Sequence, residues 1–358
     1  MPASKAGRHN SGGRCVLAVR FSALGDVAMA VGPLYDACRS NPDVRFVFLT
    51  KAPTARLLLE PPANLTVVGA DMKHDYKGTS GMIRLLRQLR RDHGFTDLAD
   101  LHDVLRTRLA AIFCRMHGIR VSRIRKGRRE KARLVADRSD YPAPIATTDR
   151  RYRDVFERLG LRLSGATVRF FDGGADHSAF ESAAPDKAEG EKWIGIAPFA
   201  AHQAKIYPAE KMKRVIGTLS EDPSVRIFLF GGGDDEKRIL GLWSEEFPRV
   251  SSMARQRFGF SVEMALMSRL DAMIAMDSGN MHLAALAGVP TVTVWGSTHP
   301  SMGFTPSGFD QSLAVQTPME CRPCSVFGNR PCRTGDYRCL ISIDPEEIIS
   351  RVRKIISK

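Results

Sequence analysis

No stretch of this 358-residue chain approaches the roughly 18 consecutive apolar residues that a membrane-crossing helix needs, so a helical span is excluded. Met1 to Arg14 is polar and basic, without the apolar core of a secretion signal; it reads as a disordered tail on a cytoplasmic protein. Acidic residues are scarce in one place. Between Arg106 and Arg133 there are eleven Lys and Arg but a single acid, Glu130. Aromatics are missing from Arg120 to Arg133, and no helix-turn-helix or RRM pattern occurs, so a nucleic acid is not the expected partner.

What is present is ordinary globular composition, 43% hydrophobic and 26% charged, in a length that suits about two domains. The net charge of +14 is unevenly spread. Residues 1–180 hold 32 basic and 18 acidic side chains, residues 181–358 hold 21 of each, so the first half carries the entire excess. Such a field recruits an anionic partner, and with nucleic acid set aside a lipid surface or a phosphorylated small molecule is left.

Buried-strand patterns alternate with amphipathic stretches, which predicts an α/β class with mostly parallel sheets. Strands are expected at 15–20, 44–49, 97–101, 193–197, 225–230, 271–276 and 291–295, with helices at 27–39, 85–91, 104–116, 209–219, 234–246 and 281–287. A Gly-, Ala- and Ser-rich stretch, 173–190, reads as a linker. This gives a first domain at 15–175, a second at 190–340, and a terminal helix at 345–358.

Ligands in open α/β sheets gather where strands run into helices, and three such junctions stand out. In Ser22-Ala-Leu-Gly-Asp26, Gly25 permits a tight turn and Asp26 stands at a helix start, where a plain N-cap is the competing reading. Phe230-Gly-Gly-Gly-Asp-Asp-Glu236 has neither GxGxxG nor GKS/T spacing; its acids suit a helix dipole, and Glu236 is best placed to accept from ribose hydroxyls. Asp277-Ser-Gly-Asn-Met-His282 offers small residues before a short helix, an arrangement that binds anions, the alternative being a capped helix with a buried His282.

Together, Arg20-Phe-Ser-Ala-Leu-Gly-Asp26, Pro198 to Pro208 with Lys205, Phe230-Gly-Gly-Gly, and Met276-Asp-Ser-Gly-Asn-Met-His-Leu-Ala-Ala285 with Gly288-Val-Pro290 and Trp295-Gly-Ser-Thr298 resemble glycosyltransferase family 9, the ADP-heptose:lipopolysaccharide heptosyltransferases. The resemblance runs from about Arg14 to Ile348. It implies a GT-B fold, two Rossmann-like domains with parallel sheets facing a central cleft, and an inverting, metal-independent transfer of heptose from ADP-heptose to a phosphorylated Kdo–lipid A core at the inner face of the inner membrane. Asp26 matches the catalytic base and Lys205 a diphosphate contact. Asp277, Ser278, Gly279 and His282 match the donor pocket, and Glu236 the ribose contact. Ala200 and Ala201 depart from the hydroxyl residues many relatives carry there. A different nucleotide sugar for another envelope glycan, or a sugar-nucleotide epimerase, are the alternatives.

The resemblance assigns the acceptor to the basic first domain, so Arg120, Arg123, Arg125, Lys126, Arg128 and Arg129 are candidate contacts for its phosphates or for the anionic leaflet; the plainer reading is a solvated basic loop. No cofactor is expected. Cys321-x2-Cys324-x7-Cys332-x6-Cys339 allows a zinc site, a merely structural loop or, less readily, an iron–sulfur cluster.

Overall fold

The computed structural model describes residues 13–137 and 143–357; the expected tail lies outside them, apart from Gly13 and Arg14. The chain divides into two compact units. Residues up to 126 join 149–168 in the first, and 127–148 join 169 onward in the second.

The first unit is a five-stranded parallel sheet of β1 (Cys15–Val19), β2 (Arg45–Lys51), β3 (Leu65–Ala70), β4 (Asp97–Asp100) and β5 (Arg120–Arg123), in the order β3-β2-β1-β4-β5. Its central strand is buried throughout, because a parallel sheet is covered on both faces and needs an unbroken apolar run such as Cys-Val-Leu-Ala-Val. Helices Leu24–Ser40, Gly78–His93 and Leu105–Met116 follow β1, β3 and β4. Arg14 is part of the fold, its guanidinium 3.1 Å from Asp97.

The second unit is a six-stranded parallel sheet of β6 (Lys192–Ala197), β7 (Val225–Leu229), β8 (Val250–Ser252), β9 (Ala272–Met276), β10 (Thr291–Val294) and β11 (Ala314–Val315), in the order β11-β10-β9-β6-β7-β8. Helix Pro345–Ile356 packs Ile348, Ile349 and Val352 into this unit's core. Both units are therefore Rossmann-like, as expected of GT-B proteins. In each, strand order reverses beside the first strand of the unit, between β1 and β4 and between β6 and β9. Ligands collect at the carboxyl ends of such strands.

Two segments depart from the sequence reading. The stretch expected as a linker, 173–190, packs as part of the second unit: Phe180 is buried with its ring edge-on to Trp193 and Lys187 bonds Asp271 at 2.7 Å. One aromatic and one lysine tie down a segment whose glycines suggest slack. Residues 127–148, expected in the first domain, belong to the second unit, where Lys131 is buried with its ammonium 3.8 Å from the Phe304 ring centre and Thr148 donates to Gly303. Arg128 and Arg129 move with them. The charge asymmetry survives the change: the first unit has 26 basic and 13 acidic residues, the second 27 and 26.

Candidate active site

In the first unit, Asp26 is the third residue of helix Leu24–Ser40 rather than its cap. The cap is Ala23, which has no side chain to accept from the helix; Asp26 reaches back instead and accepts from the Ala23 amide at 3.0 Å. Gly25 lies inside the first helical turn and not at a left-handed bend. Arg20, at the end of β1, fixes the carboxylate with a 2.5 Å contact to Oδ2 and donates from Nη1 to the Leu101 carbonyl beyond β4. Both contacts to Asp26 use Oδ2, which leaves Oδ1 for an incoming donor.

The surroundings of this pair are tight. Arg20 lies over the fully buried Tyr152 ring, and Tyr152 donates to the Asp26 carbonyl at 3.3 Å. Nδ1 of buried His102 accepts from the Phe21 amide, and burial, followed by the Arg20 charge, pushes its pKa down to about 3. His102 is thus a neutral acceptor beside the carboxylate.

In the second unit, Lys205 follows β6 and Asp277 follows β9, so the strand-order reversal brings them together: Nζ lies 2.8 Å from Oδ2. The buried Thr298 hydroxyl donates to the same oxygen at 2.7 Å. Asp277 is 6% exposed in its side chain and Lys205 15%, so the pair is largely shielded from water. Ser278 caps helix Gly279–Leu286 without a side-chain bond to it, and its buried Oγ has no hydrogen-bond partner among the described residues. Gly279 opens that helix and His282 is buried one turn along.

Gly328 closes over the lysine from a loop. It has φ +74°, and a Cβ there would fall 2.5 Å from the Lys205 side chain, so only glycine fits. Glu236, at the helix after β7, accepts from the Gly232 amide at 2.8 Å and the Gly233 amide at 3.3 Å through Oε2. It shapes its own glycine loop.

Of the basic run, Arg120 and Arg123 lie on edge strand β5, where they pair with the fully buried Asp97 at 2.7 Å and Asp100 at 3.3 Å. They serve the sheet first. Lys126 donates to the Asp103 carbonyl at 3.2 Å, while Arg125, Arg128 and Arg129 are exposed.

The four late cysteines are unbridged and share one cavity of about 380 Å³ with Ala204 and Ser297. Among the described residues no three His, Cys, Asp or Glu side chains form a group able to hold a metal. Burial pushes Cys339 up to about 11. Burial also acts to raise Cys332, but bonds from the Thr334 hydroxyl and nearby backbone amides outweigh it and hold that thiol below its usual range.

Sequence reading assigned no role to Arg20, Thr298 or Gly328. The first two sit inside the motifs that carried the resemblance, so their place was marked while their chemistry was not; nothing in the sequence marks Gly328.

The sequence profile of glycosyltransferase family 9 (heptosyltransferase) matches residues 82–333. The chain belongs to glycosyltransferase family 9. Among relatives, lipooligosaccharide heptosyltransferase 2 of Campylobacter jejuni is 24% identical over 170 residues, 47% of this chain and 52% of that protein. This chain therefore spans about half the length of the curated relatives it matches. Among solved structures, a family 9 glycosyl transferase from Veillonella parvula superposes with TM-score 0.72 at 18% identity, over 96% of this chain and 97% of that one. Escherichia coli ADP-heptose lps heptosyltransferase II gives 0.66 at 15% identity, over 96% and 98%. These likenesses agree with the two Rossmann-like units described above.

Proposed function

We propose that this chain transfers a heptose from ADP-heptose to a hydroxyl of a phosphorylated lipopolysaccharide inner-core acceptor of the Kdo–lipid A type, inverting the anomeric centre without a metal ion. The observation that carries this reading is the Lys205–Asp277–Thr298 cluster at the β6/β9 reversal, in a chain of a family described as heptosyltransferases. Names in that family specify ADP-heptose and lipooligosaccharide.

Asp26 is the base. Oδ1 takes the acceptor's hydroxyl proton as that oxygen attacks the anomeric carbon, and the bond to the diphosphate breaks with its electron pair leaving on ADP. Lys205 and the amides at Ser278 and Gly279 neutralise the charge that grows on the leaving phosphates. Asp277 and Thr298 hold Lys205 in place, His282 lines the donor pocket, and Glu236 contacts the ribose through Oε1. Arg125 and Lys126 supply cations for acceptor phosphates; Arg120 and Arg123 have a smaller share because Asp97 and Asp100 already hold them.

The test incubates the full chain with ADP-heptose and Kdo–lipid A. The expected products are an acceptor heavier by one heptosyl residue in the mass spectrum and an equal amount of ADP. Turnover with UDP-sugars alone, or isomerised donor without transfer, overturns the reading.

A further inference from the structure

Helix Leu105–Met116 is apolar on two opposite sides, one in the first unit's core and one exposed. Its buried side carries small or neutral residues, Thr107, Ala110, Ala111 and Cys114, together with Phe113. Its outer side presents Leu105 at 78% exposure, Ile112 at 52% and Met116 at 78%. At about 100° per residue these three fall within about 40° of one another, a continuous apolar line along the helix. Single exposed apolar side chains are common, but an aligned set marks a contact surface.

Cations flank that line. Arg108 and Arg115 lie on one side of it and Arg106 on the other. The helix packed alongside, Gly78–His93, exposes Arg87, Arg90 and Arg91. The unit that bears both helices holds 26 basic residues against 13 acids, so a second copy of this face meets like charge. Leu, Ile and Met are aliphatic, suited to acyl chains and not to stacking on nucleobases. Twelve residues make about 18 Å of helix, too short to cross the roughly 30 Å hydrocarbon core, so the helix lies along a bilayer surface.

We propose that helix Leu105–Met116 is an interfacial anchor that docks this chain on an anionic lipid bilayer, its aliphatic line entering the headgroup–acyl boundary while the arginines bind lipid phosphates. The surface stands on the first unit's own side chains. Vesicle binding is read without donor or acceptor, so failure here leaves the transfer reading intact, and failure of transfer leaves the anchor intact.

The experiment sediments the full chain with vesicles of phosphatidylglycerol and phosphatidylethanolamine, or of phosphatidylcholine alone. The anionic vesicles are expected to bind at least tenfold more protein. Leu105→Ser with Met116→Ser, both at exposed positions, is expected to lower vesicle affinity about tenfold with an unchanged circular-dichroism melt. Leu242→Ser, at an exposed apolar position in the second unit, is expected to change nothing. Equal binding to both vesicle types, full binding by the double variant, or a stripe variant that dissociates a dimer in analytical ultracentrifugation while keeping its lipid affinity overturns the proposal.

Discussion

Arg20 and Asp26 meet at 2.5 Å, guanidinium nitrogen to Oδ2, and the same guanidinium ties the carboxylate to the Leu101 carbonyl at the end of β4. The Asp26 carboxylate, the proposed base, is thereby tied to the ends of two strands rather than to its helix alone. Arg20→Met leaves only the Ala23 amide to orient Asp26, and a misplacement of about 1 Å costs on the order of a hundredfold in turnover. Arg20→Lys keeps the charge without the fork and recovers part of the rate. Asp26→Asn removes the proposed base and is expected to lower kcat by about a hundred- to ten-thousandfold. Calorimetry is expected to show unchanged ADP affinity for all three variants, since the proposed nucleotide contacts, Lys205, Ser278, Gly279 and Glu236, all belong to the second unit.

The Lys205–Asp277 pair makes a prediction about coupling. Lys205→Ala leaves a carboxylate at 6% exposure with only Thr298 to satisfy it, which costs about 3 kcal/mol of stability, and it removes the cation proposed for the diphosphate. Adding Asp277→Asn removes the stranded charge. The double variant is expected to recover most of the urea midpoint and none of the ADP affinity. A double variant as unstable as Lys205→Ala alone contradicts the pairing.

Gly328→Ala places a methyl 2.5 Å from the Lys205 side chain in a left-handed backbone position. The backbone alone costs about 1–2 kcal/mol. Because the neighbour displaced is Lys205, the KM for the donor is expected to rise several-fold with little change in kcat for whatever donor saturates, measured by steady-state kinetics.

His102 gives the chain an acid-sensitive element. Unfolded, it takes up a proton below about pH 6.5, whereas in the fold burial and Arg20 hold it neutral down to about 3. The unfolded state binds more protons in that window, so its contribution to stability falls as pH drops from 6.5 towards 3. Glu263, pushed up to about 7 by burial, acts in the opposite sense and loses stability as pH rises from 4.5 to 7. The clean measurement is therefore a difference: His102→Gln, which keeps an acceptor for the Phe21 amide, is expected to flatten the fall in unfolding free energy below pH 6.5 relative to the unaltered chain.

Seven of the eleven strands among the described residues were legible in the sequence, and the four that were not, β3, β5, β8 and β11, are the edges of the two sheets. An edge strand is paired on one side only and need not be apolar. Arg-Val-Ser-Arg at β5 is held by its backbone ladder and by Asp97 and Asp100, not by an apolar run. Central strands such as β1 are enclosed on both faces and write themselves as Cys-Val-Leu-Ala-Val. The candidate residues Asp26 and Asp277 were marked by strand-to-helix junctions that follow central strands β1 and β9, whereas Lys205 was marked by the family resemblance alone. Their partners were harder to see. Arg20 to Leu101 and Lys205 to Gly328 are long-range relations that no local pattern encodes.

The chain passes between its two units three times, after residues 126, 148 and 168. No single proteolytic cut separates whole units. A break after 168 strands residues 127–148 on the wrong fragment, taking the buried Lys131 and Thr148 away from Phe304 and Gly303. Partial digestion is therefore expected to yield fragments that melt below the intact chain, and independent expression of the second unit requires residues 127–148 to be grafted ahead of 169.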